Sequence, residues 1–301
     1  ASAIDQDMSA FGYTIIFMVA YMAIMIMARQ TSRDEFLIMM QIAIISIAAL
    51  ILVLYSDVLA STLTPAGSSR WELRWAPFEM HPNLAGFIYG GFIAIIANMQ
   101  CGIVGRMVLV KSAIIVFFIA VILAASARGG LLAIVLTLSA YMMFQVLRGA
   151  KEAIYYVVLG ILGAVVAATQ FDAITVYLTE MLELNSTSRG LDSGGSGRVE
   201  IWEYCIDFIF SRSWEFVLGS GLRSATLERV GSHTESSYIN VAIESGVPFV
   251  LIMIFYLMKL MVSLFIRQSE NNGFFRLVFY VLLFAVLQSI VNRYLIAIGN
   301  P

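Results

Sequence analysis

Three arginines and one histidine have the types and the settings that chemistry on a phosphate-bearing substrate requires. Arg128 stands in Ser126-Ala-Arg-Gly-Gly130, Arg198 in Ser193-Gly-Gly-Ser-Gly-Arg198, Arg293 near the end of the last apolar run, and His233 in Ser232-His-Thr-Glu235. A guanidinium holds phosphate oxygens through paired N–H donors, and glycines beside it either let an oxyanion come close to backbone N–H groups or serve close helix packing. A neutral imidazole near pH 7 accepts a proton, as a general base must. Ser232 and Glu235 have the S-x-x-E spacing of a capping box, which puts His233 in the first turn of a helix, where the positive helix end keeps the ring neutral. Cations and a base gathered on one membrane surface suit an anionic, lipid-linked substrate.

The elements that must position these groups are membrane spans. The chain is 60% hydrophobic and 13% charged, and its apolar residues come as uncharged runs. Each run is about the ~17–25 residues that a bilayer crossing needs. The pattern predicts an all-α, polytopic integral membrane protein with about eight spans, at 11–28, 36–56, 83–100, 108–127, 129–147, 153–171, 237–258 and 275–298. It divides as spans 1–6 over 1–171, a long loop over 172–235, and spans 7 and 8 over 236–301. Nucleic acid is not an expected partner; membrane lipid is.

Charge orients the spans. The short loops after spans 1, 3, 5 and 7 hold Arg29, Arg33, Arg106, Lys111, Arg148, Lys151, Arg267 and Arg276 against Asp34, Glu35, Glu152 and Glu270. That basic excess makes them cytoplasmic, so both ends and the loops 57–82 and 172–235 face the periplasm. All the candidate residues then share the outer side. Cys101 and Cys205 fall on opposite sides and cannot pair.

Within 172–235, Val199, Trp202, Ile206 and Ile209 recur at helical spacing, with Glu200, Glu203 and Asp207 opposite. This predicts an amphipathic surface helix, capped by Ser196, with Arg198 in its first turn. Loop 57–82 carries Arg70-Trp-Glu-Leu-Arg74-Trp75 and then His81-Pro-Asn83, where Pro82 suits the first turn of a span. Arg74 is a further candidate cation and His81 a further polar contact for substrate. Ser245-Gly-Val-Pro248 should break or kink the seventh span. We expect a continuous span 237–258 with Lys259 snorkelling at its inner end. The competing reading is a short surface helix over 233–244 followed by a span from Val247 to Ile266. Arg293 is expected a little below the outer surface, inside span 8, where an arginine is costly enough to be functional by default; the competing reading ends span 8 near Asn292.

No phosphate-binding loop, dinucleotide fingerprint, His-Glu-x-x-His or close pair of aspartates occurs. A nucleotide, metal or other cofactor is therefore not indicated, and the arginines would supply the leaving-group stabilisation that a metal otherwise gives.

Five stretches, taken in order, resemble the bacterial O-antigen ligase and polymerase (Wzy-type) family of membrane glycosyltransferases. They are His81-Pro-Asn-Leu-Ala-Gly86, Ser126-Ala-Arg-Gly-Gly130, Ser196-Gly-Arg-Val-Glu-Ile-Trp202, Val217-Leu-Gly-Ser-Gly221 and Ser232-His-Thr-Glu-Ser-Ser-Tyr238, the last followed by Ile243-Glu-Ser-Gly246. The resemblance covers about residues 70–260. It implies a glycosyltransferase of the GT-C class in the inner membrane, working on the periplasmic side without metal. Its donor would be an undecaprenyl-pyrophosphate-linked glycan, and its acceptor a hydroxyl on a glycan, a lipid A core or another molecule. It implies phosphate binding for Arg128 and Arg198 and the base role for His233. Thr234 departs from the family's usual Asn. Relatives of this kind have ten to twelve spans, so the chain, which opens on Ala, is expected to lack about three at its start and one at its end.

The implied reaction is an inverting, metal-independent transfer, with Arg293 or Arg74 as a third cation. The His-Pro-Asn stretch and the lack of a strongly basic outer patch lean the acceptor toward a second lipid-linked glycan, hence polymerase rather than ligase. The rival is a transporter or flippase for a polyprenyl-linked glycan. Such proteins carry broken spans and midplane polar groups, whereas the polar residues here crowd the outer surface.

Overall fold

The computed structural model describes residues 32–63, 75–99, 108–147, 169–182, 184–185, 198–211, 213–219, 236–268 and 273–292. The expected spans 11–28 and 153–171 lie largely outside them. Among the described residues all regular structure is helical. We label the helices α1 (Arg33–Leu63), α2 (Pro82–Asn98), α3 (Val108–Ala124), α4 (Arg128–Leu147), α5 (Phe171–Met181), α6 (Arg198–Ser211), α7 (Ser213–Leu218), α8 (Ser237–Ser245), α9 (Val247–Arg267) and α10 (Gly273–Val291). Among the described residues, α1, α4, α9 and α10 are long and apolar enough to cross a membrane, and α2 and α3 are shorter apolar helices.

The core is an antiparallel bundle of α2, α3, α4 and α10, with α1 laid on α3. Glycines set its closest approaches, because helix backbones meet only where no Cβ intervenes. A Cβ on Gly130 would lie 2.9 Å from Gly86 Cα and 3.0 Å from Gly86 O, so α4 and α2 cross backbone to backbone. Phe284 of α10 fills the space over Gly90. Around this crossing Tyr89 stacks on Phe118 at 5.4 Å, and Ile93, Ile122 and Ile134 are fully buried. At the far end of the bundle Lys111 donates to the carbonyls of Ala97 and Met99, at 3.4 and 2.9 Å, which satisfies the last carbonyls of α2.

Two expectations are corrected here. The seventh span is not continuous over 237–258. Gly246, with φ +86° and ψ 158°, ends α8 and starts α9, and Pro248 occupies the first turn of α9. A backbone in that region cannot continue a right-handed helix. The span is therefore Val247–Arg267, with Lys259 exposed well inside it. Helix α10 ends at Val291, with Asn292 no longer helical, short of the expected 298, and Arg293 lies outside the described residues.

Outside the bundle, α6, α7 and α8 pack together over Cys205, Ile209, Val241, Ala242 and Ile243. Burial pushes the Cys205 thiol up to about 11, so it is an inert core group. The amphipathic helix at Arg198–Ser211 exists, but its buried stripe is not the expected one. Ile201, Cys205 and Ile209 face inward, while Val199 and Ile206 are exposed. The stripe turns because α6 packs on two neighbouring helices rather than lying alone on a flat surface. Gly219 and Gly246, both with positive φ, interlock α7 and α8. A Cβ on Gly219 would strike the Glu244 backbone, and one on Gly246 would strike Val217.

Candidate functional site

Arg128 is the first residue of α4, and the turn before it is specified in detail. Ala127 N donates to Ile122 O at 3.2 Å and Ser126 N to Leu123 O at 2.8 Å. This pair of bonds, with Ser126 at φ +48°, is a Schellman motif that carries serine where glycine is usual. A left-handed backbone costs a non-glycine residue roughly 1–2 kcal/mol. The buried Ser126 hydroxyl offsets this by donating to Met181 O at 2.7 Å, which ties the turn to the end of α5.

Of the two readings the sequence left open for Gly129 and Gly130, the contacts favour close helix packing over the approach of phosphate oxygens. A Cβ on Gly129 would lie 2.6 Å from Val291 Cγ2 and 3.3 Å from Asn292 Nδ2, and the face of Gly130 is taken by Gly86. The pair serves helix packing. Its effect on the site is indirect, since it draws the end of α10 against the start of α4 and so brings the residue next to Arg293 beside the residue next to Arg128.

Asn292 makes a second connection. Its backbone carbonyl accepts from Ser237 N at 3.2 Å and from Ser237 Oγ at 2.8 Å, with Ser237 and Asn292 both buried. The start of α8, four residues after His233, is thereby pinned where α10 ends and α4 begins. Tyr238 adds a third bond, its hydroxyl donating to Val286 O at 3.2 Å. Burial pushes that phenol above its usual range, so it stays protonated as a donor.

His233, Arg293 and Arg74 themselves lie outside the described residues, as do Ser196 and the capping box at 232–235. α8 begins at Ser237, after an extended Ser236 with φ −122° and ψ 124°. A helix started at Ser232 therefore does not run into α8. Arg74 precedes Trp75, whose N–H donates to Ala124 O at 3.3 Å, four residues before Arg128. His81 is exposed at the start of α2, where its Nδ1 accepts from Asn83 N at 3.3 Å and caps the helix. Arg198 is half-buried at the first position of α6, and α6 reaches the rest through its packing on α8.

One end of the bundle thus holds Arg128 and His81 together with the backbone just after Arg74, just before Arg293 and, from Ser236, a few residues after His233. Sequence reasoning did not find Ser126, Ser237 and Asn292, the residues that assemble this end. Their signal was weak: serine and asparagine at span ends are common, and both Ser126 and Ser237 reach a partner 55 residues away.

Residues 113–254 match the family model described as O-antigen ligase. The match begins in α3, takes in Arg128, Arg198 and His233, and ends within α9. No curated protein and no solved structure matches the chain.

Proposed function

We propose, from the match of residues 113–254 to the family model described as O-antigen ligase, that the protein transfers an undecaprenyl-pyrophosphate-linked glycan to an acceptor hydroxyl at the periplasmic face of the bacterial inner membrane. The observation that carries this reading is the junction at Asn292. It joins the start of α4, which bears Arg128, to the chain just before Arg293 and just after His233.

In this mechanism His233 takes the proton from the acceptor O–H, and the resulting oxygen attacks the anomeric carbon of the donor glycan. The bond from that carbon to the pyrophosphate oxygen breaks, and undecaprenyl pyrophosphate leaves with the bonding electrons. The configuration at the anomeric carbon inverts. Arg128 and Arg198 hold the pyrophosphate through bidentate contacts, with Arg293 or Arg74 as the third cation. A general base of this kind contributes about 10²–10⁴-fold to the rate. The capping box at 232–235 lies outside the described residues, so the base role of His233 rests on family resemblance and on the tether of the following segment at Ser237.

Ligase and polymerase share these steps, and we propose a second lipid-linked glycan as the acceptor. Reconstitution in liposomes with purified lipid-linked glycan tests the whole reading. A ladder of products with release of undecaprenyl pyrophosphate is expected. A single added glycan on a lipid A core acceptor would make it a ligase, and movement of the donor across the bilayer without new glycosidic bonds would make it a flippase. Orientation has its own test: cysteine introduced at Ser193 should be labelled from outside the cell, and cysteine at Glu270 should not.

A further inference from the structure

At the end of the bundle opposite Arg128, α4, α9 and α10 converge on a small aromatic cluster. Tyr141 meets Tyr280 edge-on at 5.4 Å, Phe265 meets Phe279 at 5.6 Å, and Leu264 is buried with them. One helical turn beyond this cluster, each helix presents a buried polar side chain. Gln145 follows Tyr141 by four residues, Gln268 follows Leu264 by four, and Arg276 precedes Tyr280 by four. A spacing of four keeps a residue on the same helix face. α4 and α9 run toward this end and α10 runs away from it, so all three offsets point the same way along the bundle. These offsets put the three residues at one level of the bundle, one turn beyond the aromatic cluster.

They are 2%, 1% and 8% exposed, respectively. Gln145 Nε2, Gln268 Nε2 and Oε1, and Arg276 Nε have no hydrogen-bond partner among the described residues. A buried amide or guanidinium left without a partner is costly, and natural cores avoid it unless something binds there. The unmatched groups are almost all donors, and one is cationic. Two more cations flank them: Arg33 lies over the Phe274 ring at 4.8 Å, and Arg267 lies over the Phe275 ring at 5.5 Å. Of the nearby acids in the first turn of α1, Glu35 is already engaged by the backbone N–H and hydroxyl of Ser32, at 2.9 and 2.7 Å.

We propose that Gln145, Gln268 and Arg276 form a binding site for a phosphate oxyanion, with Arg276 supplying the charge and the two amides fixing its orientation. The site lies in the first turn of α10 and the last turns of α4 and α9, which is headgroup depth for helices that cross a membrane. An anionic phospholipid and a free phosphate present the same chemistry there. The site is separate from the Arg128 end and does not depend on the transfer reaction.

Native mass spectrometry and thermal melting of the purified, delipidated full chain test it with two probes, phosphatidylglycerol and inorganic phosphate. Retention of phosphatidylglycerol over phosphatidylcholine by about tenfold or more, the scale of one charge-assisted contact, supports the site and identifies a lipid headgroup. A saturable rise in melting temperature with inorganic phosphate supports it and identifies a soluble ligand. Arg276→Gln should abolish whichever response is seen. Gln268→Leu and Gln145→Leu keep the volume and remove the orphan amides, so they should raise the melting temperature of the ligand-free protein while weakening binding, even if Arg276→Gln folds poorly. Equal retention of the two lipids with no response to phosphate would overturn the proposal, as would unaltered binding in Gln268→Leu and Gln145→Leu. A loss of stability in Glu152→Gln or Glu270→Gln equal to that in Arg276→Gln would also overturn it, because the chain's own carboxylate would then be the partner.

Discussion

The Ser237 hydroxyl donates at 2.8 Å to the carbonyl of Asn292, and the Ser237 amide donates to the same oxygen at 3.2 Å. A single carbonyl with both lone pairs engaged fixes two chain segments at once, the one leading out to Arg293 and the one arriving from His233. Ser237→Ala keeps the amide bond and removes the hydroxyl. The expected loss is about 0.5–1.5 kcal/mol in stability, with a larger fall in turnover than in donor affinity, since the histidine segment loses its register. Melting temperature and steady-state transfer on the same preparation check this, and an unchanged kcat would detach Ser237 from the site.

The crossing of α2 and α4 allows a sharp contrast between glycines. Gly130→Ala drives a methyl into the Gly86 backbone, which cannot turn aside, so a destabilisation of about 1–3 kcal/mol is expected. Arg128, two residues earlier, should lose alignment with it. Gly91 meets no heavy atom closer than Phe284 Cε1 at 4.0 Å, so Gly91→Ala should be neutral or stabilise α2 by roughly 0.5–1 kcal/mol. Thermal unfolding of the two variants in one detergent gives the answer.

Ser126 combines an unfavourable backbone with a favourable side-chain bond, and two substitutions separate them. Ser126→Ala keeps the left-handed backbone and leaves Met181 O without its donor, at a cost of about 1–3 kcal/mol. Ser126→Gly loses the same bond but relieves roughly 1–2 kcal/mol of backbone cost. The glycine variant should therefore melt closer to wild type than the alanine variant, and the reverse order would mean that the turn is not strained.

His233 and His81 should separate by function. His233→Ala is expected to lower the transfer rate by about 10²–10⁴-fold with donor binding retained, as for a lost general base. His81→Ala removes the ring that caps α2 at Asn83 and should cost stability of about 0.5–2 kcal/mol with only a mild change in rate. Single-turnover rates and donor affinity on both variants decide this. An active His233→Ala beside a folded, inactive His81→Ala would move the base to the other loop.

Much of this fold was legible before any coordinates. Helices α2, α3 and α4 start and stop within a few residues of the expected spans, because Pro82, Arg128 and the charged residues between them punctuate long apolar runs. The break at Gly246 was visible as Ser-Gly-Val-Pro but could be resolved only by the backbone angle the glycine takes. Composition alone did not determine the buried face of α6, which depends on where α7 and α8 come to rest. At the site, residue types pointed to Arg128, while the links that gather its surroundings join residues 55 positions apart and leave no local trace. The glycine pair after Arg128 stayed open between two readings because close helix contact and anion approach ask for the same missing side chain, and its neighbours Val291 and Gly86 favour the first.

The mutual contact of Gly219 with the Glu244 backbone and of Gly246 with Val217 makes each helix end part of the other's boundary. Neither α7 nor α8 can fray without opening its neighbour, and α6 shares their apolar core. Elements coupled in this way open together as one cooperative unit. A substitution that frays one of these helix ends therefore loosens all three helices, and with them the Ser237 end of the unit that Asn292 holds.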